Sequence, residues 1–530
     1  MAQTEAPARV ADTGTTSGVA RNSLGRAIPG SFLGRALRPY GDPFSFRPTG
    51  MAASRPMRRV NPGDNKVLGS LREAIEASGL RDGMTIGTHH HLRNGDALLN
   101  AVVREIAAMG IRDIAIAGSS VHPVHEELIP HIRDGVITRI ESGVNGAISR
   151  MVSSGELDVP IITRTHGGRA RAMMAGDIHV DVAFLAAPTC DRYGNVCASR
   201  GPSACGVVGY AHSDADWAGC VVAVTDNLVP YPAFPISIPQ SKVDYVVPVD
   251  SLGDPAKIVS TTTRVTTDPI GLQIAKYAAA VIDASGLLKA GFSFQTGAGG
   301  TSLAVAANVR DMMRTRAVKG SFGAGGITGY FVEMLEEGLL EALFDVQSFD
   351  LRAVDSARRN EAHIEMSADM YANPFNAGCV VNQLDCVVLG AREVDLDFNV
   401  NVNTESDGRL SGNTGGHADT AAGAKLAIVV APSIRARLPI VRDAVTTVST
   451  PGETVDAVVT ERGVALNGKY RDLARDLTRR GIPVKTIEQL KDEVYGITGV
   501  PRPIDFTDKV VGLIEYRDGS ITDVVRQVAG

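Results

Sequence analysis

Short runs of Val, Ile and Ala alternate with segments of helical period from about Lys66 to the C-terminus, and this alternation constrains the fold more than any other feature. Runs lie at residues 113–117, 159–163, 180–187, 220–225 and 245–249. They are apolar throughout rather than at every second position, which suits parallel strands covered on both faces. A short strand at 83–87 precedes Leu98, Leu99, Val102, Val103, Ile106 and Met109, which fall at helical spacing. After a helix over 269–288 the theme restarts. A strand at 292–295 leads through a glycine-rich loop to a helix at 302–313. A strand at 319–322 and a second glycine-rich loop lead to a helix at 330–340. Further strands are expected at 380–389, 425–431 and 457–460. The reading is an α/β chain with two tandem open parallel-sheet domains, 63–275 and 276–530, and helices on both faces of each sheet.

A chain of 530 residues, 44% hydrophobic, is long enough to bury two such cores. The net charge of −6 argues against nucleic acid or an anionic membrane as partner, since both call for a basic face. No apolar run approaches the roughly 20 residues that cross a bilayer. Aromatics at 5% leave little for stacking single-stranded nucleic acid. Six cysteines in so long a chain read as reduced thiols and a cytoplasmic setting. Residues 1–62 stand apart. The first sixty carry nine Arg and three acids, are rich in Ala, Gly, Ser and Pro, and lack a sustained apolar period. They are expected to be a disordered basic tail. Their composition also fits a transit peptide, though without an amphipathic stripe, and Met51 offers an alternative start.

Ligands of open α/β sheets bind at the carboxyl ends of strands, so the strand-to-helix loops hold the candidates. The loop at 89–96 offers His89, His90, His91, Arg93 and Asn94 beside a helix N-terminus. Imidazole and guanidinium donors there suit a polycarboxylate, and a buried structural histidine cluster is the alternative. A metal is not expected, because consecutive histidines ligate one ion poorly and no HExxH occurs. Arg164, His166, Arg169 and Arg171 follow another strand, and arginine matches carboxylates bidentately. A solvated surface is the alternative reading of that run. Glycine-rich loops at 296–301, 323–329 and 412–419 present bare N–H groups to an anion or merely permit tight turns. They are not P-loops: no Gly-x4-Gly-Lys-Ser/Thr string exists. They are not dinucleotide fingerprints either, because Ser302 and Thr328 occupy the sixth positions. Cys190, Cys197, Cys205 and Cys220 lack CxxC spacing, and there is no Gly-x-Ser-x-Gly elbow.

Long irregular strings identify the chain as similar to the citrate lyase alpha subunit family from about residue 65 onward. They are HHHLRNGD at 89–96, RTHGGRARA at 164–172, VDVAFLAAPTCDRYGN at 180–195, TDNLVPYPAFP at 225–235, SFQTGAGGTSLAV at 293–305, YANPFNAGCVVNQLD at 371–385 and DFNVNVNTESDG with GGHADTAAGAKL between 397 and 426. The resemblance implies two CoA-transferase-type domains. It implies exchange of acetate for citrate on an acyl carrier (gamma) subunit that bears a phosphoribosyl-dephospho-CoA thiol, with CoA thioesters as surrogates. A beta subunit then cleaves the citryl thioester. No cofactor is expected on this chain itself.

The chain also resembles butyrate and acetate CoA-transferases more distantly, through Gln295-x-Gly297-x-Gly299. Those enzymes use a glutamate nucleophile about a dozen residues before a helical Glu-x-Gly. Laid on Glu336-Glu337-Gly338, that pattern puts Gly325 at the nucleophile's place. The implied chemistry is direct attack by a citrate carboxylate on the acetyl thioester, which asks for proximity and oxyanion donors. Gly297, Ala298, Gly299, Gly300, Gly325 and Gly326 are the expected catalytic backbone, with room at Gly325 for a substrate carboxylate. His89, His90, His91, Arg93, Asn94, Arg164, His166, Arg169, Gly415 and Gly416 are expected around citrate. The alternatives are a glutamate-dependent transferase using Glu333, Glu336 or Glu337, a non-catalytic scaffold, and citramalate in place of citrate.

Overall fold

The computed structural model describes residues 18–32, 34–43, 65–89, 91–259, 264–468 and 470–529. A six-stranded parallel sheet has the spatial order Tyr245–Pro248, Cys220–Thr225, Val182–Ala186, Thr85–Thr88, Ile114–Gly118, Ile137–Ile140. The central strands have every residue or nearly every residue buried, as their unbroken apolar runs require. The second sheet has eight strands, in the order His363–Glu365, Leu340–Ser348, Gly320–Ile327, Ser293–Thr296, Cys386–Gly390, Leu426–Val430, Ala457–Thr460, Gly463–Leu466. All pair in parallel except the last, which returns antiparallel.

Each sheet begins in its middle. Thr85–Thr88 lies between Val182–Ala186 and Ile114–Gly118, and Ser293–Thr296 lies between Gly320–Ile327 and Cys386–Gly390. Each is therefore a point where the winding direction reverses, and the loop after such a strand opens into a crevice. The histidine loop leaves the first reversal and Gly297–Gly300 leaves the second. The two crevices meet. Gln347 Nε2 donates to the His91 carbonyl at 3.1 Å, and the Arg93 guanidinium stacks 4.7 Å from the Phe349 ring centre.

Several expectations need correction. Residues 323–329 do not form a loop, because Gly320–Ile327 is one strand with a register shift between Gly325 and Gly326. Its glycines answer to crowding. A Cβ on Gly323 would meet the Phe331 ring at 2.6 Å, and one on Gly326 would overlap Phe349. The run at 380–389 divides into a single 3-10 turn, Val380–Gln383, and the strand Cys386–Gly390. The run at 159–163 does not join the first sheet. Ile161–Arg164 pairs with Phe506–Glu515 in a separate four-stranded sheet, with Ser520–Val528 and Arg38–Pro39 beyond it. The C-terminal hairpin thus packs with the first half of the chain, across the boundary expected at 275/276.

Part of the expected disordered tail is built into that same sheet. Tyr40 is buried against Tyr516, and Asn22 Nδ2 donates to the Ile521 and Thr522 carbonyls. Residues 1–17 and 44–62 lie outside the described residues. No helix among the described residues is long and apolar enough to cross a membrane.

Candidate active site

On the first sheet's side, His89 and His91 are buried, with ring centres 5.3 Å apart. Neither ring of His89 or His91 has a hydrogen-bond partner among the described residues, although His91 Nδ1 lies 3.5 Å from Asp96. Burial drives the His89 pKa well below its ordinary value, and the neighbouring His91 and Arg169 add to the shift; burial also lowers His91. Asp96 accepts from His125 Nε2 at 2.9 Å. Burial alone would raise this carboxyl, but the His125 hydrogen bond and charge hold it below its usual range. Arg93 sits at φ 55°, with its guanidinium turned towards Phe349, while Asn94 is exposed. His90 lies outside the described residues.

The buried histidines make stability depend on pH. A folded pKa below the unfolded value of about 6.5 means that the unfolded chain takes up protons first on acidification. The stability that neutral His89 and His91 contribute is complete above pH 6.5 and is lost as pH falls through their lowered folded values. Melting temperature should drop steadily below pH 6.5, and His89→Gln should flatten that slope. Parallel profiles for variant and wild type would contradict it.

Arg164 and Arg169 are already paired inside the protein. Arg164 donates through Nε to Glu515 at 2.9 Å and through Nη1 to Glu141 at 2.8 Å. Arg169 forms a two-pronged pair with Asp214, at 3.0 and 2.8 Å, and reaches the Ala117 carbonyl at 2.7 Å. What remains is specific: Arg164 Nη2 and Arg169 Nε are buried without partners among the described residues. Both residues line a small recess with Ser119, Ser142, His166 and Asn413 at the carboxyl end of the first sheet. Arg171 faces away, to Glu515 and Asp177.

His166 lies at the mouth of this recess with its ring 4.4 Å from Tyr210, and burial lowers its pKa to about 4. The backbone of His166 donates to the Gly415 carbonyl at 3.0 Å, so the loop at 412–419 is laced onto the 164–169 turn. Asp419 fastens the same junction. It accepts from Thr165 Oγ1 at 2.8 Å and from the Gly167 N–H at 3.0 Å, and burial raises its pKa to about 6. Gly416 is packed beneath the Tyr371 hydroxyl, where a Cβ would collide.

On the second sheet's side, Gly325 has φ +97°, and a Cβ there would lie 2.6 Å from the Gln295 carboxamide. The space a side chain would take is filled by Gln295, so the room expected for a substrate carboxylate at that point is already occupied. Gln295 Nε2 donates to Tyr371 Oη at 2.7 Å. Gln295 Oε1, Thr296 Oγ1 and Thr328 Oγ1 are buried with no partner among the described residues, at the carboxyl ends of adjoining strands. Gly297 donates its N–H to the Val388 carbonyl at 2.9 Å and is no free donor. Gly299 instead caps the helix Gly300–Arg316, whose first-turn N–H groups have no intrahelical acceptor. Gly326 lies within the ladder, opposite Gln347.

Glu333, Glu336 and Glu337 lie on an outer helix face. Glu333 binds Arg310 and Arg352, Glu336 binds Arg352, and Glu337 binds Arg310 and Arg314. Tyr371, Tyr210, Gln347 and Phe349 carry no motif of their own in the sequence. Tyr371 and Gln295 both sit within the strings that carry the resemblance, which was the available signal.

The sequence profile of the citrate lyase alpha subunit matches residues 64–528. The citrate lyase alpha chain of Klebsiella pneumoniae is 47% identical over 464 residues, covering 87% of this chain and 91% of that one. The alpha chain of Escherichia coli is 48% identical over 466 residues, covering 88% and 91%. A crystal structure of a citrate lyase alpha subunit from Streptococcus mutans, in complex with citrate, superposes with a TM-score of 0.92 at 50% identity, covering 96% of this chain and all of that one. The alpha subunit of a malonate decarboxylase from Acinetobacter baumannii shares the fold, with a TM-score of 0.62 at 16% identity over 83% of this chain and 96% of that one.

Proposed function

This chain belongs to the citrate lyase alpha subunit family and is a CoA-transferase component of that enzyme, and from that premise we propose that it exchanges acetate for citrate by direct carboxylate attack, without an enzyme-bound glutamyl intermediate. The acyl group sits on the thiol of a phosphoribosyl-dephospho-CoA arm carried by a gamma subunit, with CoA thioesters as surrogates, in a cytoplasmic complex with a beta subunit. The observation that carries the mechanism is Gly325, whose side-chain space the Gln295 amide fills. The glutamates of the neighbouring helix are held by arginines on its outer face. Citrate as substrate is supported by the citrate-bound relative from Streptococcus mutans.

A citrate carboxylate oxygen attacks the acetyl carbonyl, the C–S bond breaks, and thiolate leaves a mixed anhydride. The thiolate then attacks the citryl carbonyl and acetate departs with the bridging oxygen. Each attack builds charge on a carbonyl oxygen. First-turn N–H groups of the helix Gly300–Arg316, with Ala298 and Gly299 leading into it, are placed to stabilise that charge. Arg164 Nη2, Arg169 Nε and His166 at the recess, which Glu141 also lines, would hold one of citrate's other carboxylates, with Arg93 flanking the crevice. The neutral state of His166 suits it to donate one N–H without adding a charge.

Tyr371→Phe removes the acceptor of Gln295 and frees the amide beside Gly325. Turnover should fall about tenfold, with about 1 kcal/mol lost in stability. Unchanged turnover would detach the Gln295–Tyr371 pair from catalysis. The function itself is tested by supplying acetyl carrier and citrate: citryl carrier and acetate should form in equal amounts. Their absence with a competent carrier would remove the assignment.

A further inference from the structure

We propose that Asp345 and His363 are positioning residues for the transferase reaction, locking the histidine loop of the first half against the strand that carries Gly325; their effect on turnover rests on the transferase reading above. The strand Leu340–Ser348 holds a bulge. Gly325 pairs with Asp345 and Gly326 with Gln347, so Val346 is an extra residue on that strand. Bulges are uncommon between parallel strands and are over-represented next to active sites, where they re-aim side chains. A buried polar chain shapes this one. The Asp345 carboxylate reaches past the extra residue and accepts the Gln347 N–H at 2.9 Å and the Ser348 hydroxyl at 2.6 Å. It also accepts from His363 Nε2 at 3.0 Å, and His363 Nδ1 faces Ser356 Oγ at 2.9 Å. The side chains of Asp345 and His363 are wholly buried. The order Ser–His–Asp resembles a hydrolase triad, but the ring is reversed, with Nε2 on the carboxylate and Nδ1 on the serine. Ser356 is buried within the helix Leu351–Arg359, so the chain holds a shape and supplies no nucleophile.

What the bulge holds lies on both sides of the crevice. The Gln347 amide, aimed by it, donates to the His91 carbonyl at 3.1 Å. Phe349 presses on Gly326 and stacks under Arg93. Val346 itself seats on the first half. A Cβ on Gly209 would lie 2.5 Å from the Val346 carbonyl, and one on Gly206 would collide with Ser348. Glu365, on the strand His363–Glu365, accepts the Val208 N–H at 2.8 Å and lies 3.3 Å from His212 Nε2. Asp345 thus joins the outer edge of the second sheet to residues 206–209 and to the loop at 89–96. Without its carboxylate a buried N–H and a buried hydroxyl lose their acceptor, and the turn around Val346 loses its brace. A misplacement of about 1 Å, even from a change far from the chemistry, can cost roughly 100-fold in rate.

The test compares full-length variants by amide hydrogen exchange, turnover of acetyl carrier with citrate, and melting temperature. Asp345→Asn keeps an acceptor for the Gln347 N–H and can donate to Ser348 Oγ and to His363 Nε2 in the ring's other tautomer. It should stay within about threefold of wild-type turnover. Asp345→Leu combined with His363→Leu replaces the pair by apolar residues, a change that buried polar pairs often tolerate in stability. This double variant should melt close to wild type yet lose about tenfold or more in turnover. Its hydrogen exchange over residues 91–96 should quicken at least about fivefold, while that of the strand Ile114–Gly118 stays unmoved. Gln347→Leu leaves the buried chain whole and cuts only the bond to His91, so it carries the test if the double variant does not fold. The same hydrogen exchange should quicken, and turnover should fall about threefold. Wild-type hydrogen exchange or wild-type turnover in the double variant or in Gln347→Leu would overturn the lock, as would an Asn variant as impaired as the double variant. The expected hydrogen-exchange pattern with no citryl product from wild type would instead keep the lock and remove the transferase reading.

Discussion

Gly325→Ala is expected to cut transferase turnover by about 100-fold, equivalent to about 2.7 kcal/mol of transition-state stabilisation. The residue sits at φ +97°, which an L side chain adopts at a cost of roughly 1–2 kcal/mol. The added Cβ also lands 2.6 Å from the Gln295 amide. Something must yield, and the flexible partner is Gln295, whose hydrogen bond to Tyr371 then breaks at a further cost of about 1 kcal/mol. Tyr371 packs on Gly416, beside the Gly415–His166 contact, so the disturbance reaches the proposed citrate side as well. Gly325→Glu should fare no better. It restores a carboxylate to the place where related transferases are held to carry one, yet no space exists for it. Either variant retaining near wild-type turnover would contradict this packing, and a Glu variant that gained a trappable thioester would contradict the mechanism.

Glu515→Leu is expected to destabilise the protein by about 3–5 kcal/mol, the usual consequence of leaving buried charges unpaired. Glu515 is 1% exposed and receives Arg164 Nε and Arg171 Nη2 on one oxygen, at 2.9 and 2.7 Å. Those guanidiniums hold its carboxyl below the ordinary range against the opposing effect of burial. Arg164 would then lose the anchor that aims its free Nη2 at the recess, so citrate affinity should fall with stability. Glu141→Gln makes the contrast. Its side chain is 24% exposed and, among the described residues, bonds to the other edge of Arg164, so about 1 kcal/mol or less is expected. Chemical denaturation of the three proteins checks both values. Equal effects would mean that the buried pairing is not what holds the hairpin Phe506–Val528 to Ile161–Arg164.

What the sequence made legible was local. Unbroken apolar runs mark Ile114–Gly118, Val182–Ala186, Cys220–Thr225, Cys386–Gly390, Leu426–Val430 and Ala457–Thr460, while Leu340–Ser348 and His363–Glu365, broken by charged residues, gave no such signal; of the four loops singled out, 89–96 and 296–301 follow the two strands where winding reverses. The parts that stayed hidden depend on contacts distant in sequence. Nothing near Ile161 announces a partner about 350 residues later, and its apolar run looks like any other parallel strand. Gly323, Gly325 and Gly326 read as a loop because glycine usually marks one. Here each answers to a bulky neighbour, Phe331, Gln295 or Phe349, that only the fold brings close. Arg164 and Arg169 looked like free anion binders because Glu515 and Asp214, which neutralise them, lie elsewhere in the chain. Tyr371 had no local pattern to declare it, since its role comes from facing Gln295.

The most direct test of direct carboxylate attack is one turnover with oxygen-labelled citrate. Enzyme in excess over acetyl carrier, or over acetyl-CoA, is mixed with citrate carrying ¹⁸O in its carboxylates, and the acetate released is weighed by mass spectrometry. If a citrate oxygen bridges the mixed anhydride, the first acetate formed carries one ¹⁸O. If a glutamate of the protein attacks first, that acetate takes its oxygen from the enzyme and leaves unlabelled, and the label stays on the protein until a later turnover. Labelled acetate in the first turnover is the result this account predicts; unlabelled acetate would contradict it.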